Sequence, residues 1–135
     1  MYYECDMKAL LIRSPHIEKI LEGHKTWEIR GSRTNTREQV ALVRSGSGLI
    51  IGVCDIADCI PILTDETLRK NARKVGSKPS DLRLEDYKNT YAWVLTHAQY
   101  LRAPVPYKHP NGAVIWVKLD TPTEKAVRRM RNRPT

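Results

Sequence analysis

The sequence predicts an α+β fold, a β-rich body with short helices at its margins. Three observations lead there. Several apolar runs have the length of strands, namely Met7–Arg13, Gln39–Ser45, Leu49–Ile56, Tyr91–Arg102 and Ala113–Leu119. The stretches with helical spacing between them are short and bounded by Pro, Gly or a capping hydroxyl. With 135 residues and 41% hydrophobic content, the chain has the size of one domain with one core.

Met7–Arg13 (MKALLIR) opens the chain as a strand. Ser14-Pro15 then matches an N-cap with proline at the first helical position. Ile17, Ile20 and Leu21 recur at helical spacing, and Gly23 is placed to end that helix in a left-handed cap. The next segment, Gly23-His24-Lys25-Thr26-Trp27-Glu28-Ile29-Arg30, reads as an interior strand that carries three charges. Such a strand must lie at an edge, pair its charges or line a polar cleft. Period-two alternation sets Thr26, Glu28 and Arg30 on one face and Trp27 and Ile29 on the other, towards the core. Lys25 sits at the turn and can point either way.

Gln39–Ser45 is a strand, and Gly46-Ser47-Gly48 turns it into the Ile-rich strand Leu49–Ile56. That turn lacks the spacing and following helix of a P-loop. Pro61 ends the strand region. Thr64 then caps a helix with Asp65 and Glu66 in its first turn. Ser80-Asp81-Leu82 opens a second helical stretch through Glu85 and Tyr87, and Tyr91–Arg102 and Ala113–Leu119 supply the last strands. Thr121-Pro122-Thr123-Glu124 has the form of a capping box with proline at N1. Only Ala126, Val127 and Met130 are apolar beyond it, so the organisation expected is a domain over residues 1–120 and a weakly docked basic tail over 121–135, its last residues disordered.

The run Lys8-Ala9-Leu10-Leu11-Ile12, the short helix and Gly23-x-Lys25-Thr26-x-Glu28-x-Arg30 together resemble the opening of an ASCH domain. Tyr91-Ala92-Trp93-Val94-Leu95, Pro104-Val105-Pro106-Tyr107 and Gly112-Ala113-Val114-Ile115-Trp116 resemble its closing strands, so the resemblance covers about residues 7–119. It implies a PUA-like superfold, a small β-barrel with flanking short helices, associated with RNA metabolism, whose cleft holds the Lys25 to Arg30 segment. Some small ASCH-type proteins are amidohydrolases that remove the acyl group of N4-acetylcytidine, and they are similar to this chain at Gly23, Lys25 and Thr26. Their pattern has a nucleophilic threonine three residues after the lysine, where this chain has Glu28, and a glutamate after the central strands, whereas residues 67–80 here hold no carboxylate. A carboxylate does not replace an alcohol nucleophile without changing the chemistry.

Charge narrows the partner. The chain carries a formal +8, and the excess is concentrated in two places. Residues 69–78 contain Arg69, Lys70, Arg73, Lys74 and Lys78 with no acid, and residues 121–135 contain Lys125, Arg128, Arg129, Arg131 and Arg133 against Glu124. Arg69, Lys70, Arg73 and Lys74 fall along one face of a helix, which suits either a phosphate backbone or a solvated helix end whose cations complement the dipole. Arg128 and Arg129 in the tail would add backbone affinity without sequence choice. No apolar run approaches the ~18 residues of a membrane span, and the first residues lack a signal-peptide core, so a soluble cytoplasmic protein with no membrane partner is expected. Cys5, Cys54 and Cys59 lack C-x-x-C spacing and the four histidines lack paired ligand spacing, so neither a metal nor another cofactor is expected.

The candidate chemistry centres on the charged strand. Arg30 suits a phosphate or a base edge, Lys25 a charge or a base of lowered pKa, and Glu28 orients either one; a plain ion pair among them is the structural alternative. For RNA cleavage Lys25 and Glu28 would be acid and base, with Arg30 facing the phosphorane. Thr26 is a substitute nucleophile only if the turn breaks the alternation that separates it from Lys25. Arg13 and Ser14 bracket a strand-to-helix junction where backbone N–H groups favour anions, although the capping role of Ser14 already accounts for it. Tyr107 and Lys108, next to His109, suit a stacked base and its phosphate or an ordinary exposed loop. Trp93 and Trp116 are flanked by apolar residues and belong to the core. The expected partner is RNA or a nucleotide held in this cleft, with weak metal-independent ribonuclease action, and the alternative is an amidohydrolase of N4-acylated cytidine nucleosides.

Overall fold

The apolar run after Met7 forms β1 (Lys8–Ile12) in the computed structural model, which describes residues 7–84 and 89–132. Its side chains enter two layers: Ala9 and Leu11 pack with Val43, Val53, Leu101 and Val127, and Leu10 and Ile12 with Ile17, Leu42, Ile56 and Trp93. Burial on both faces explains why the run is continuous rather than alternating. The other elements are α1 (His16–Leu21), β2 (Trp27–Arg30), β3 (Gln39–Arg44), β4 (Leu49–Pro61), α2 (Asp65–Lys70), α3 (Ala72–Val75), a 3-10 turn at Pro79–Asp81, β5 (Tyr91–Pro106), β6 (Trp116–Lys118) and α4 (Thr121–Met130).

The six strands form one sheet in the order β2-β5-β4-β3-β1-β6. β1 and β3 run parallel, with Ala9 opposite Ala41 and Ile12 opposite Arg44, and the remaining ladders are antiparallel. The sheet is open, with β2 and β6 as its edges, so the closed β-barrel that the resemblance implies is not formed among the described strands. β4 and β5 are 13 and 16 residues long, far longer than the runs read from sequence, and their register shifts three times. Bulges let such strands bend. Gly52 lies in β4 because a Cβ there would stand 2.3 Å from Leu21 Cδ2 and 2.8 Å from the Gln99 carbonyl, and its absence lets α1 pack close on the sheet.

Several local expectations need correcting. Ser14 is not the cap of α1: Pro15 holds the N-cap position with no side-chain cap, and the Ser14 hydroxyl donates to Glu18 Oε2 at 2.8 Å. Gly23 does terminate the helix at φ +83, with the His24 N–H reaching the Lys19 carbonyl at 2.8 Å. The Thr64 cap is present, its hydroxyl accepting the Thr67 N–H, but the basic helix is broken at Asn71 into α2 and α3. The expected continuation of a helix through Glu85 and Tyr87 lies outside the described residues. The cap of α4 is Asp120 rather than Thr121, and the Glu124 carboxylate accepts the Met7 N–H at 2.8 Å. With Glu124 and Val127 fully buried, residues 121–130 are packed firmly against β5 and are not a weakly docked tail. Trp93 is core as expected, stacked on the half-buried Trp116 at 5.8 Å.

Candidate functional site

β1 and β3 are parallel, so their C-terminal ends lie side by side, with the Ser45 N–H bonded to the Ile12 carbonyl at 3.0 Å. Beyond those ends opens a cleft of about 570 Å³. Its lining includes Arg13, Ser14, His16, Leu68, Asp81, Leu82 and Arg83, and the buried Lys25 and Glu28 with the half-buried Arg30 form its floor. The volume lies within the ~300–1,000 Å³ of small-molecule sites.

The floor is a buried ion network. Lys25 Nζ stands 3.5 Å from Glu28 Oε1, and Arg30 Nε donates to Glu28 Oε2 at 3.0 Å. Lys25 is 4% exposed and Glu28 8%. Edge position, charge pairing and cleft lining, three alternatives from the sequence, hold together: β2 is an edge strand, its charges pair, and they line the cleft. Lys25 joins Glu28 because the turn before β2 breaks the alternation. The Thr26 N–H is fixed to the Lys74 carbonyl at 2.8 Å, and Lys25 Nζ donates to the Val75 carbonyl at 2.8 Å, capping the end of α3. Gly76 permits this approach: its φ is +77, and a Cβ there would stand 3.1 Å from Lys25 Cβ. Arg30 is held from three sides, by Glu28, by the Leu11 carbonyl at 2.8 Å from Nη2, and by the Trp93 ring 5.5 Å from Cζ. These contacts fix the guanidinium where it lines the cleft.

Burial lowers the Lys25 ammonium below its ordinary value, and the Glu28 carboxylate opposes that shift. His16, at the exposed rim, is also lowered, first by partial burial against the cleft wall and then by Lys25, with Glu28 opposing. His16, Asp81 and Arg83 were not singled out from sequence. His16 had a signal, since it follows the Ser14-Pro15 junction already marked as an anion site, but Asp81 and Arg83 are brought in by the turn after α3, which no motif announces.

Other sequence candidates fall elsewhere. Thr26 is exposed and does not line the cleft. Tyr107 packs against the core layer that holds Val127, and its hydroxyl meets His109 Nδ1 at 2.9 Å. His109 Nε2 must be the donor to the Ala113 carbonyl at 2.9 Å, so Nδ1 accepts from Tyr107 and the loop closes on itself, with Lys108 exposed on it outside the cleft. Arg69 and Lys70 lie beside Asp65 and Glu66 at 3.9 and 3.3 Å, and Lys74 sits 5.1 Å from the Trp27 ring. Arg128 is 3.6 Å from Glu124, and the Arg129 carbonyl accepts from Arg102. None of these basic residues lines the cleft. Among the described residues no group of three His, Cys, Asp or Glu is placed to hold a metal ion, and no helix is long and apolar enough to cross a membrane.

A sequence model of the ASCH domain matches residues 10–105. No curated protein matches the chain. Among solved structures, that of ASCH from Zymomonas mobilis superposes with a TM-score of 0.70 at 12% identity, covering 94% of this chain and 96% of that one. A serine-to-alanine mutant of the same protein gives 0.68 at 14% identity, covering 93% and 96%, and a tyrosine-to-phenylalanine mutant gives 0.68 at 13%, covering 93% and 98%. At such identities the likeness establishes the fold.

Proposed function

The chain belongs to the ASCH domain family, which is generally associated with RNA binding, and from that premise we propose that its cleft binds one nucleotide of a single-stranded RNA. The observation that carries this is the charge of a nucleotide-sized cleft. Arg13, Lys25, Arg30 and Arg83 line it against two carboxylates, and one of these, Glu28, is already paired with Lys25 and Arg30. Arg13 is exposed at the wall and forms no ion pair among the described residues, so it is available to a phosphate. Leu11, Ile29, Leu82 and the 77%-exposed Val114 give the base apolar surface. Arg30, immobilised before the ligand arrives, loses little freedom on binding.

End-labelled single-stranded RNA titrated with wild type and Arg13→Ala tests the reading at two salt concentrations. Arg13→Ala weakens binding by about tenfold, the loss of one charge-assisted contact of about 1.4 kcal/mol. Equal affinity would remove the cleft from RNA binding, and absence of binding by wild type would leave a free nucleoside as its occupant.

Metal-independent cleavage of the bound RNA is a second reading, favoured by the presence of two groups of lowered pKa, His16 and Lys25, in one cleft. Glu28 is held between two cations, so neutral His16 is the freer base. It takes the proton of a ribose 2′-hydroxyl while O2′ bonds to phosphorus. The P–O5′ bond breaks, and the Lys25 ammonium returns a proton to the leaving O5′, with Arg30 facing the phosphorane. The same samples run on a denaturing gel in chelator read this directly, through shortened RNA with 2′,3′-cyclic phosphate ends. Hydrolysis of N4-acylated cytidine has less support. Thr26 lies outside the cleft, and Glu28 stands where the deacylase pattern has its threonine.

A further inference from the structure

Beside the cleft lies a shallower depression of about 440 Å³, lined by Lys19, Arg73 and Lys78 with Ser77 and Asp81. It shares Ser77 and Asp81 with the cleft, so the two hollows adjoin. Gly76 is the divide. Lys25 Nζ, on the cleft side, holds the Val75 carbonyl at 2.8 Å, and Lys19 Nζ, on the depression side, holds the Gly76 carbonyl at 2.9 Å.

The charge of this depression stands apart from that of the surrounding surface. Arg69, Lys70 and Lys74, its neighbours in sequence, are each engaged by a carboxylate or by the Trp27 ring. Arg73 and Lys78 are exposed and form no ion pair among the described residues, and Asp81 is the one carboxylate that lines the hollow with them. Three cations against one carboxylate leave the concavity net positive, and a polyanion that threads it is attracted there and releases counterions.

We propose that this depression is a backbone subsite, which takes the phosphodiester next to the nucleotide held in the cleft and so makes the protein prefer an RNA strand to a free nucleotide. This rests on the reading of the cleft as a nucleotide site. The subsite is built by Lys19, Arg73 and Lys78, not by the helical face Arg69, Lys70, Arg73 and Lys74 that the sequence spacing offers, because the helix breaks at Asn71 and Arg69, Lys70 and Lys74 do not line the depression.

The test uses uridine monophosphate and a uridine hexanucleotide as probes, with wild type, an Arg73→Ala/Lys78→Ala variant and an Arg69→Ala/Lys70→Ala variant of equal charge change. The depression variant is expected to bind the monophosphate as wild type does and to lose about tenfold in hexanucleotide affinity. Its salt slope on the hexanucleotide falls by about 1.4, because two phosphates of the single strand are no longer neutralised. The Arg69/Lys70 variant keeps both affinities. An unchanged hexanucleotide affinity in the depression variant overturns the subsite and leaves the cleft standing. Equal losses in the two variants also overturn it, since net charge then accounts for the effect. Hexanucleotide binding that depends on Arg73 and Lys78, without monophosphate binding, keeps the track and overturns the cleft; failure of wild type to bind either probe overturns both.

Discussion

Glu28 stands between two cations, 3.5 Å from Lys25 Nζ and 3.0 Å from Arg30 Nε, with 8% of its surface exposed. A surface pair of this kind contributes about 1 kcal/mol or less. A buried one behaves differently, because removal of one partner leaves the other without compensation in a poorly solvated place. Glu28→Ala is therefore expected to cost about 3–5 kcal/mol in urea unfolding, and a loss below about 1 kcal/mol would show that water screens the floor of the cleft. Lys25→Ala also releases the Val75 carbonyl, so it perturbs the fold and is a poorer probe of binding than Arg13→Ala. His16 supplies the pH dependence. Its pKa in the free protein is below the ordinary 6.5, set by burial, Lys25, Lys19 and Arg13 against Glu28. A bound phosphodiester favours the protonated ring and raises that pKa, so binding takes up a proton. Affinity for an RNA dinucleotide then rises as pH falls from neutral through the bound-state pKa, and levels off below the free-state pKa. His16→Asn flattens this profile; an equally steep profile in the variant would assign the proton to another group.

The short elements around the cleft act through a few backbone positions. Gly76 combines φ +77 with a Cβ position 3.1 Å from Lys25, whereas Gly46 has φ +82 with open space around it. Each incurs the left-handed backbone cost of about 1–2 kcal/mol when changed to alanine. Only Gly76→Ala should also displace Lys25 and weaken RNA binding, so thermal unfolding and RNA titration of the two variants separate backbone strain from damage to the site. Equal RNA affinity in both would mean that the end of α3 does not position Lys25. Sequence made β1, α1 and β2 legible because each carries its own signal: a run buried on both faces, Ile17, Ile20 and Leu21 in helical register, and a glycine at the left-handed cap. The break at Asn71 was not legible, since Thr64 to Val75 has a continuous helical form and the partner that holds its end, Lys25, lies 50 residues away. The Lys25, Glu28 and Arg30 grouping was legible in one segment, but Asp81 and Arg83 enter the cleft through tertiary packing that no local spacing encodes.

At the scale of the molecule, the basic end of the chain is the clearest case of composition misleading. Residues 121–135 look like a charged arm, yet every third position or so of α4 turns inward, and Val127 closes the layer that contains Ala9, Leu11, Val43 and Leu101. Glu124, fully buried, ties α4 to the start of β1 through the Met7 N–H and lies 3.6 Å from Arg128. A chain cut after Asp120 would expose that layer along β1, β3 and β5 and leave the Met7 N–H without its acceptor. The truncation is therefore expected to abolish the cooperative thermal transition, and its RNA binding would be lost with the fold and not through missing phosphate contacts. Point variants keep the two causes apart. Val127→Ala removes buried methyl groups and costs about 1–3 kcal/mol, whereas Arg129→Ala, whose exposed side chain makes no ion pair among the described residues, stays within about 0.5 kcal/mol of wild type. Equal costs for the two, or a truncated chain that melts at the wild-type temperature, would mean that α4 is held by its charge rather than by burial and is dispensable to the sheet that shapes the cleft.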